Sequence, residues 1–324
     1  MGYMDKGEWK TDWYEPDEEG RFQRPETRFR QKVEPGGRFA PAEGRYHLYV
    51  SYACPWAHRT LIARALKGLH HAIDVSVVHP FMGDDGWTFE KTTGTQGDIV
   101  FGSSFLREIY KRANPEYTGR VTVPILWDTL EQTIVNNESR EIVRMLSHGF
   151  EEVATREIDL APASLLAQID ETITAIYEPI NNGVYRSGFA VSQKAYEEAL
   201  ADVFEALEFW ESELGHSRWL CGDVFTEADI FMFTTLVRFD SVYHYHFKCN
   251  TRRLTDYPNL WAYVREIYQV PMIAQTVNMT HIKRHYFESH PNINPTRIVP
   301  VGPLLDFHEK HDRARLGGSP IIHQ

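Results

Sequence analysis

Tyr46-His47-Leu48-Tyr49-Val50-Ser51-Tyr52-Ala53-Cys54-Pro55-Trp56-Ala57-His58-Arg59 reads as a β-strand running directly into a helix, with a cysteine at the junction. The strand formers around Tyr46 to Val50 set a strand over 45–52. Across 55–69, Leu61, Ile62, Ala65, Leu66 and Leu69 recur at helical spacing. Pro55 suits the first helical turn, where its missing N–H costs nothing. The sulfur of Cys54 then sits at the positive end of a helix dipole, beside N–H groups with no intrahelical partner. Such placement favours thiolate over thiol and lowers a cysteine pKa from about 8.5 into a range of about 3.5–7.5. Position 57, where a dithiol motif would carry its second cysteine, is Ala57. A thiolate here has no built-in resolving partner. Free cysteine is more often a small buried hydrophobe, and the strand–Cys–Pro–helix context is what turns the reading to catalysis. Cys221 and Cys249 lack that context and are read as structural.

Beyond this helix, Ile73, Val75, Val77 and Val78 mark a strand over 73–79 and complete a βαβ unit, whose crossover is right-handed. A glycine-rich loop and a helix near 103–113 follow. Val121-Thr122-Val123-Pro124-Ile125-Leu126-Trp127 reads as a strand interrupted by proline, Thr133-Ile134-Val135 as a second short strand, and Glu138 to Leu146 as a helix. The order βαβ-α-ββα is that of a thioredoxin-like domain, set at 41–155. In that fold a cis-proline at position 124 presents the N–H and C=O of Val123 to a peptide-like ligand; an ordinary edge-strand proline is the alternative. Glu138-Ser139 opens a helix whose N–H groups and hydroxyl can hold a carboxylate. Glu138 can accept from an α-amino group, or the pair can simply cap the helix.

After residue 155 no strand pattern survives, and 156–324 is expected to be an all-α domain with a C-terminal tail. Leu165, Leu166, Ile169, Ile173 and Ile176 form one amphipathic stretch, and Ala195 to Leu214 another. Thr226-Glu227-Ala228-Asp229 reads as a capping box, with Phe225 and Ile230 as its hydrophobic staple. Helices are expected at 230–241 and 259–268. Residues 1–40 read as an irregular arm held down by Trp9, Trp13, Phe22 and Phe29. Ile293 to Pro303 reads as a proline-punctuated tail, extended and packed on the body.

The formal net charge of −11 over 324 residues argues against nucleic acid, which needs a basic face. No run of about 18 apolar residues offers a membrane span, and Met1 to Lys10 has no apolar core of a signal peptide. Three scattered cysteines make neither a disulfide framework nor a zinc site. The expectation is a soluble, cytoplasmic protein of a reducing compartment. His244, His246, His281, His285 and His290 fall in no metal-binding spacing, so no metal is expected. Tyr243-His244-Tyr245-His246-Phe247 and His281-Ile282-Lys283-Arg284-His285-Tyr286 could wall a pocket for an aromatic ligand, or form helix–helix core.

These motifs together resemble the cytosolic glutathione transferases. Ser51-Tyr52-Ala53-Cys54-Pro55-Trp56-Ala57-His58-Arg59, Thr122 to Asp128, Asn137-Glu138-Ser139 and the stretch His281 to Pro303 look like the Xi class, the glutathionyl-hydroquinone reductases. The resemblance covers nearly the whole chain, and it implies a homodimer with glutathione as co-substrate. It implies that Cys54 takes glutathione from a glutathionyl-hydroquinone as a mixed disulfide, which a second glutathione resolves. It implies further that Trp87, the backbone of Val123, Glu138 and Ser139 hold glutathione, with Arg107 or Lys111 for its glycine carboxylate. Tyr185 and Tyr286 would face the quinol ring. An Omega-like thioltransferase or dehydroascorbate reductase shares the cysteine chemistry. A non-catalytic binding module of the same fold is the alternative from another class, and an intact Cys54 argues against it.

Overall fold

The computed structural model describes residues 2–12 and 15–322. Two compact units emerge, and they are interleaved along the chain. One comprises Met1–Trp13, Arg24–Ile158 and Thr276–Pro291; the other comprises Tyr14–Gln23, Asp159–Gln275 and Asn292–Gln324.

The first unit is built on a four-stranded sheet. Its elements in chain order are β1 (Tyr3–Asp5), β2 (Glu8–Lys10), β3 (Tyr46–Val50), α1 (Pro55–Leu66), β4 (Ile73–Val77), α2 (Leu106–Ala113), β5 (Gly119–Arg120), β6 (Ile125–Asp128), β7 (Thr133–Asn136) and α3 (Ser139–Arg144). The sheet order is β4-β3-β6-β7. β4 runs parallel to β3, with Val75 opposite Leu48, and β6 runs antiparallel, with Leu126 opposite the same residue. Leu48, Val50, Ile62, Leu66, Ile73, Ile125, Trp127 and Ile142 are buried, and α1 lies against α3. This is the expected thioredoxin-like arrangement. The Val123–Pro124 peptide is cis. The strand expected over 121–127 begins only at Ile125, because proline has no N–H to give the ladder.

The N-terminal arm is more regular than its composition implied. β1 and β2 form a hairpin, and β5 joins them with Arg120 opposite Tyr3. Lys6 and Gly7 take φ of 47° and 78° at the turn, the left-handed pair that suits a two-residue hairpin loop. Three arm aromatics are anchored as expected. Trp9 Nε1 donates to the Asp84 carbonyl at 2.9 Å, Phe22 packs on Phe189 and Phe29 on Tyr117. Trp13 lies outside the described residues.

The second unit is helical: α4 (Leu166–Ile176), α5 (Gly183–Gly188), α6 (Gln193–Glu213), α7 (Glu227–Leu236), α8 (Pro258–Tyr268) and α9 (Pro271–Ala274). α7 starts at the capping box. Buried Asp229 accepts from the Thr226 N–H at 2.8 Å, the Leu220 N–H at 2.9 Å and the Tyr263 hydroxyl at 2.9 Å. The expected helix over 230–241 ends at Leu236, and Phe239–Tyr243 continues as a wider turn. No described helix is long and apolar enough to cross a membrane.

α10 (Met279–Ser289) returns to the first unit. The tail after it is only partly covered over 293–303, where a packed segment was the expectation. Ile298, Val301 and Leu304 are 69%, 89% and 92% exposed. Docking begins later, in the second unit. There buried Arg313 reaches Glu266 at 3.0 Å, the Leu214 carbonyl at 2.9 Å and the Ser217 carbonyl at 3.1 Å.

Candidate active site

Cys54 is the N-cap of α1, with an extended backbone at φ −73° and ψ 120°, and Pro55 follows in the first turn. The Cys54 carbonyl accepts from the His58 N–H at 2.9 Å, so the helix begins at the sulfur-bearing residue. The first turn carries no carboxylate to oppose the dipole. Cys54 is partly exposed, whereas Cys221 and Cys249 are buried. Burial raises the Cys221 thiol and pushes Cys249 up to about 12, so both stay protonated near neutrality. The Cys54 Sγ lies 3.6 Å from the Val123 carbonyl oxygen. The thiol is thereby brought to the segment that the cis-proline interrupts.

Glu138 and Ser139 stand at the start of α3, as the motif implied. Glu138 caps the helix by accepting the Arg140 N–H on Oε1 at 3.2 Å. Its Oε2 lies 3.4 Å from the Thr27 hydroxyl of the arm. The buried Arg59 of α1 donates from Nη1 to Ser139 Oγ at 3.2 Å, tying the cysteine's helix to this cap. Arg24 places its guanidinium 3.9 Å from the Trp56 ring centre, stacking a second cation on the first turn of α1.

A phenol that sequence reasoning missed connects the two segments. Tyr110 of α2 is fully buried, and burial raises its pKa, keeping the O–H protonated. It donates to the Thr122 carbonyl at 2.9 Å. It accepts from the Thr122 N–H at 3.2 Å and from Asn137 Nδ2 at 3.1 Å. One donor and two lone pairs are all used. Thr122 adjoins Val123 and Asn137 adjoins Glu138, so one oxygen sets the spacing of both. In the sequence Tyr110 is one more aromatic on an apolar helix face. Nothing local distinguishes it.

Trp87 is nearly buried in the loop before α2, and its indole stacks on His285. Tyr286, the next residue of α10, is buried with its ring edge-on to His285 and His290. Arg107 is committed locally: it donates to the Asp85 carbonyl at 2.6 Å and to the Asp85 carboxylate at 2.9 Å, over the Phe105 ring. Lys111, one turn along, lies 3.9 Å from Glu8. Tyr185 belongs to the second unit, where Phe189, Tyr243 and Phe247 surround it. Of the late aromatic run, Tyr243 and Phe247 are therefore core, while Tyr245 faces solvent. Among the described residues no group of three or more His, Cys, Asp or Glu side chains is arranged to hold a metal ion.

Residues 53–148 match the family model of the glutathione S-transferase N-terminal domain, and 193–266 match that of the C-terminal domain. The chain is 50% identical over 323 residues to the glutathionyl-hydroquinone reductase YqjG of Escherichia coli, covering 97% of this chain and 98% of that one. It is also 50% identical to the glutathionyl-hydroquinone reductase PcpF of Sphingobium chlorophenolicum, over 94% and 96% of the two chains. Among solved structures, a Xi class transferase from Natrialba magadii superposes with a TM-score of 0.93 at 52% identity, over 98% of each chain. The glutathione-bound structure of YqjG superposes with a TM-score of 0.86 at 51% identity, over 88% of this chain and 96% of that one.

Proposed function

The chain belongs to the Xi class of the glutathione transferases, and from that premise we propose that it reduces glutathionyl-hydroquinones to hydroquinones with glutathione as reductant. The observation that carries the proposal is the Cys54 sulfur at the start of α1, 3.6 Å from the Val123 carbonyl, with Ala57 in place of a second cysteine.

In the first step the Cys54 thiolate attacks the glutathionyl sulfur. In the keto tautomer, whose sulfur-bearing ring carbon already carries a proton, the S–C bond breaks; its electron pair forms the ring C=C bond, the carbonyl pair moves onto oxygen, and the aromatic ring is restored. That oxygen takes a proton, for which the Tyr286 phenol is the proposed donor, and the hydroquinone leaves. The two sulfurs are now joined as a mixed disulfide. In the second step a glutathione thiolate attacks the glutathione sulfur of that disulfide, releasing glutathione disulfide and restoring the Cys54 thiolate. A monothiol site requires this external thiol. The backbone of Val123 would pair with the peptide of glutathione, Glu138 and Ser139 with its γ-glutamyl end, and Trp87 with its body. Tyr185 is proposed beside the ring. Arg107 is proposed for the glycine carboxylate, which requires it to exchange its Asp85 partner for the ligand. The relative YqjG is known in a glutathione-bound form, which supports glutathione as the ligand. A homodimer is part of the same reading, checked by sedimentation equilibrium.

The test is a steady-state comparison of glutathionyl-menadiol with a small glutathione mixed disulfide and with dehydroascorbate. The proposal expects kcat/KM to be far higher for the aromatic thioether. A preference for dehydroascorbate or the disulfide would move the chain to an Omega-like reaction instead.

A further inference from the structure

Three residues on successive turns of α10, His281, His285 and Ser289, share one helix face. Each bonds to the backbone of the segment that carries Trp87. His281 Nε2 lies 2.7 Å from the Thr93 carbonyl, His285 Nδ1 lies 2.9 Å from the Pro80 carbonyl, and the Met82 N–H donates to Ser289 Oγ at 2.9 Å. A carbonyl only accepts, so the proton sits on Nε2 of His281 and on Nδ1 of His285. The same stretch of chain reaches back to the cysteine's helix. Thr276 Oγ1 lies 2.7 Å from Nε2 of His58, one turn after Cys54. Thr276–Pro291 thus braces two places at once, the α1 helix and the Trp87 loop.

The indole itself is held by His285. The two rings stack with centres 4.8 Å apart and planes 22° from parallel. Trp87 sits between short isolated bridges, Gly83 with Gly86 and Thr88 with Phe105, and not in a continuous strand. Its rotamer is therefore set by its neighbours. Imidazole suits the task because it offers a flat π face to the indole and an in-plane N–H to the Pro80 carbonyl, which fixes the plane of the ring.

We propose that His285 is a positioning residue for Trp87. Its stacked ring, locked by Pro80, sets the indole in the pose that packs on glutathione. This rests on the reading of Trp87 as a glutathione contact, and the experiment separates the two. His285→Phe keeps a flat ring without the N–H, His285→Asn keeps a donor without the ring, and His285→Ala keeps neither. Steady-state kinetics with glutathione as the varied substrate are expected to give a KM raised about five- to tenfold in the Ala and Asn variants. kcat stays within about twofold in both, since Cys54 is not displaced. The Phe variant is expected to recover most of the lost KM. If His285→Ala does not fold, the Phe and Asn variants decide: a higher KM in Asn than in Phe supports the stack, and equal values overturn it. Trp87→Ala is the control. If it leaves the glutathione KM unchanged, the underlying reading of Trp87 fails. If it raises KM while the His285 variants do not, the positioning role alone is overturned.

Discussion

The Tyr110 phenol oxygen lies 3.1 Å from Asn137 Nδ2, and through this contact α2 holds the Val123 segment and the Glu138 cap in fixed relation. Tyr110→Phe leaves the Thr122 N–H and the Asn137 amide without their buried acceptor. Each such orphaned donor costs about 1–3 kcal/mol. The urea midpoint of the variant should fall accordingly, and its KM for glutathione should rise several-fold. An unchanged KM would separate the phenol from the proposed ligand site.

Cys54→Ala should bring turnover of glutathionyl-menadiol to the uncatalysed background. Glutathione should still bind, measured by isothermal titration calorimetry, because its proposed contacts at Val123, Glu138 and Ser139 are untouched. Retained turnover would end the mixed-disulfide mechanism.

Tyr286→Phe removes a buried hydroxyl from the helix that carries His285. Reduction of the aromatic thioether should fall about a hundredfold or more, the usual range for a lost proton donor. Reduction of a small glutathione mixed disulfide has no ring oxygen to protonate and should be spared. Equal losses on both substrates would place the ring site elsewhere.

Asp229 satisfies three buried donors at the start of α7. Asp229→Ala should therefore destabilise the chain by about 3 kcal/mol or more, and Asp229→Asn should recover part of this by keeping one acceptor. Circular dichroism against urea reads the difference. Identical midpoints for wild type and Asp229→Ala would refute the role.

His47 of β3 is buried against Ser76 Oγ at 2.8 Å, and burial pushes its pKa down from 6.5 to about 4. The folded chain thus binds this proton more weakly than the unfolded chain. The contribution is fully present above pH 6.5, declines as pH falls toward about 4, and is then spent. Asp229 acts in the opposite sense. Burial raises it from 3.8 to about 6, so its contribution grows as pH falls through that window. The clean test is the stability of wild type minus His47→Gln, which should shrink by up to about 3 kcal/mol between pH 7 and pH 4. A difference independent of pH would show that His47 does not titrate as described.

The parts of the site that sequence reveals are those whose chemistry is local. Cys54 and Pro55 announce a helix start by adjacency, Val123-Pro124 announces a break in a strand, and Thr226 with Asp229 announces a cap. The contacts that sequence conceals join distant residues. His281 and Thr93 are 188 positions apart, and nothing in either neighbourhood encodes the other. Tyr110 and His285 look like ordinary core aromatics until their partners are in place. The hairpin at Lys6-Gly7 was legible in principle, but the polar, proline-rich arm around it masked two three-residue strands. The tail differs from its expectation only in part, and for another reason. Proline and apolar side chains imply burial on average, yet Ile298, Val301 and Leu304 face water.

The interleaving of the units bears on how the chain is made. β3, α1, β4, β6, β7 and α3 are all complete by residue 144, but α10 supplies the last helix of that unit from residues 279–289. A ribosome delivers the Cys54 helix and the Trp87 loop early and their brace more than a hundred residues later. Until α10 has emerged, the Met82 N–H and the Pro80 and Thr93 carbonyls lack their Ser289, His285 and His281 partners, and the indole of Trp87 has no imidazole to lie against.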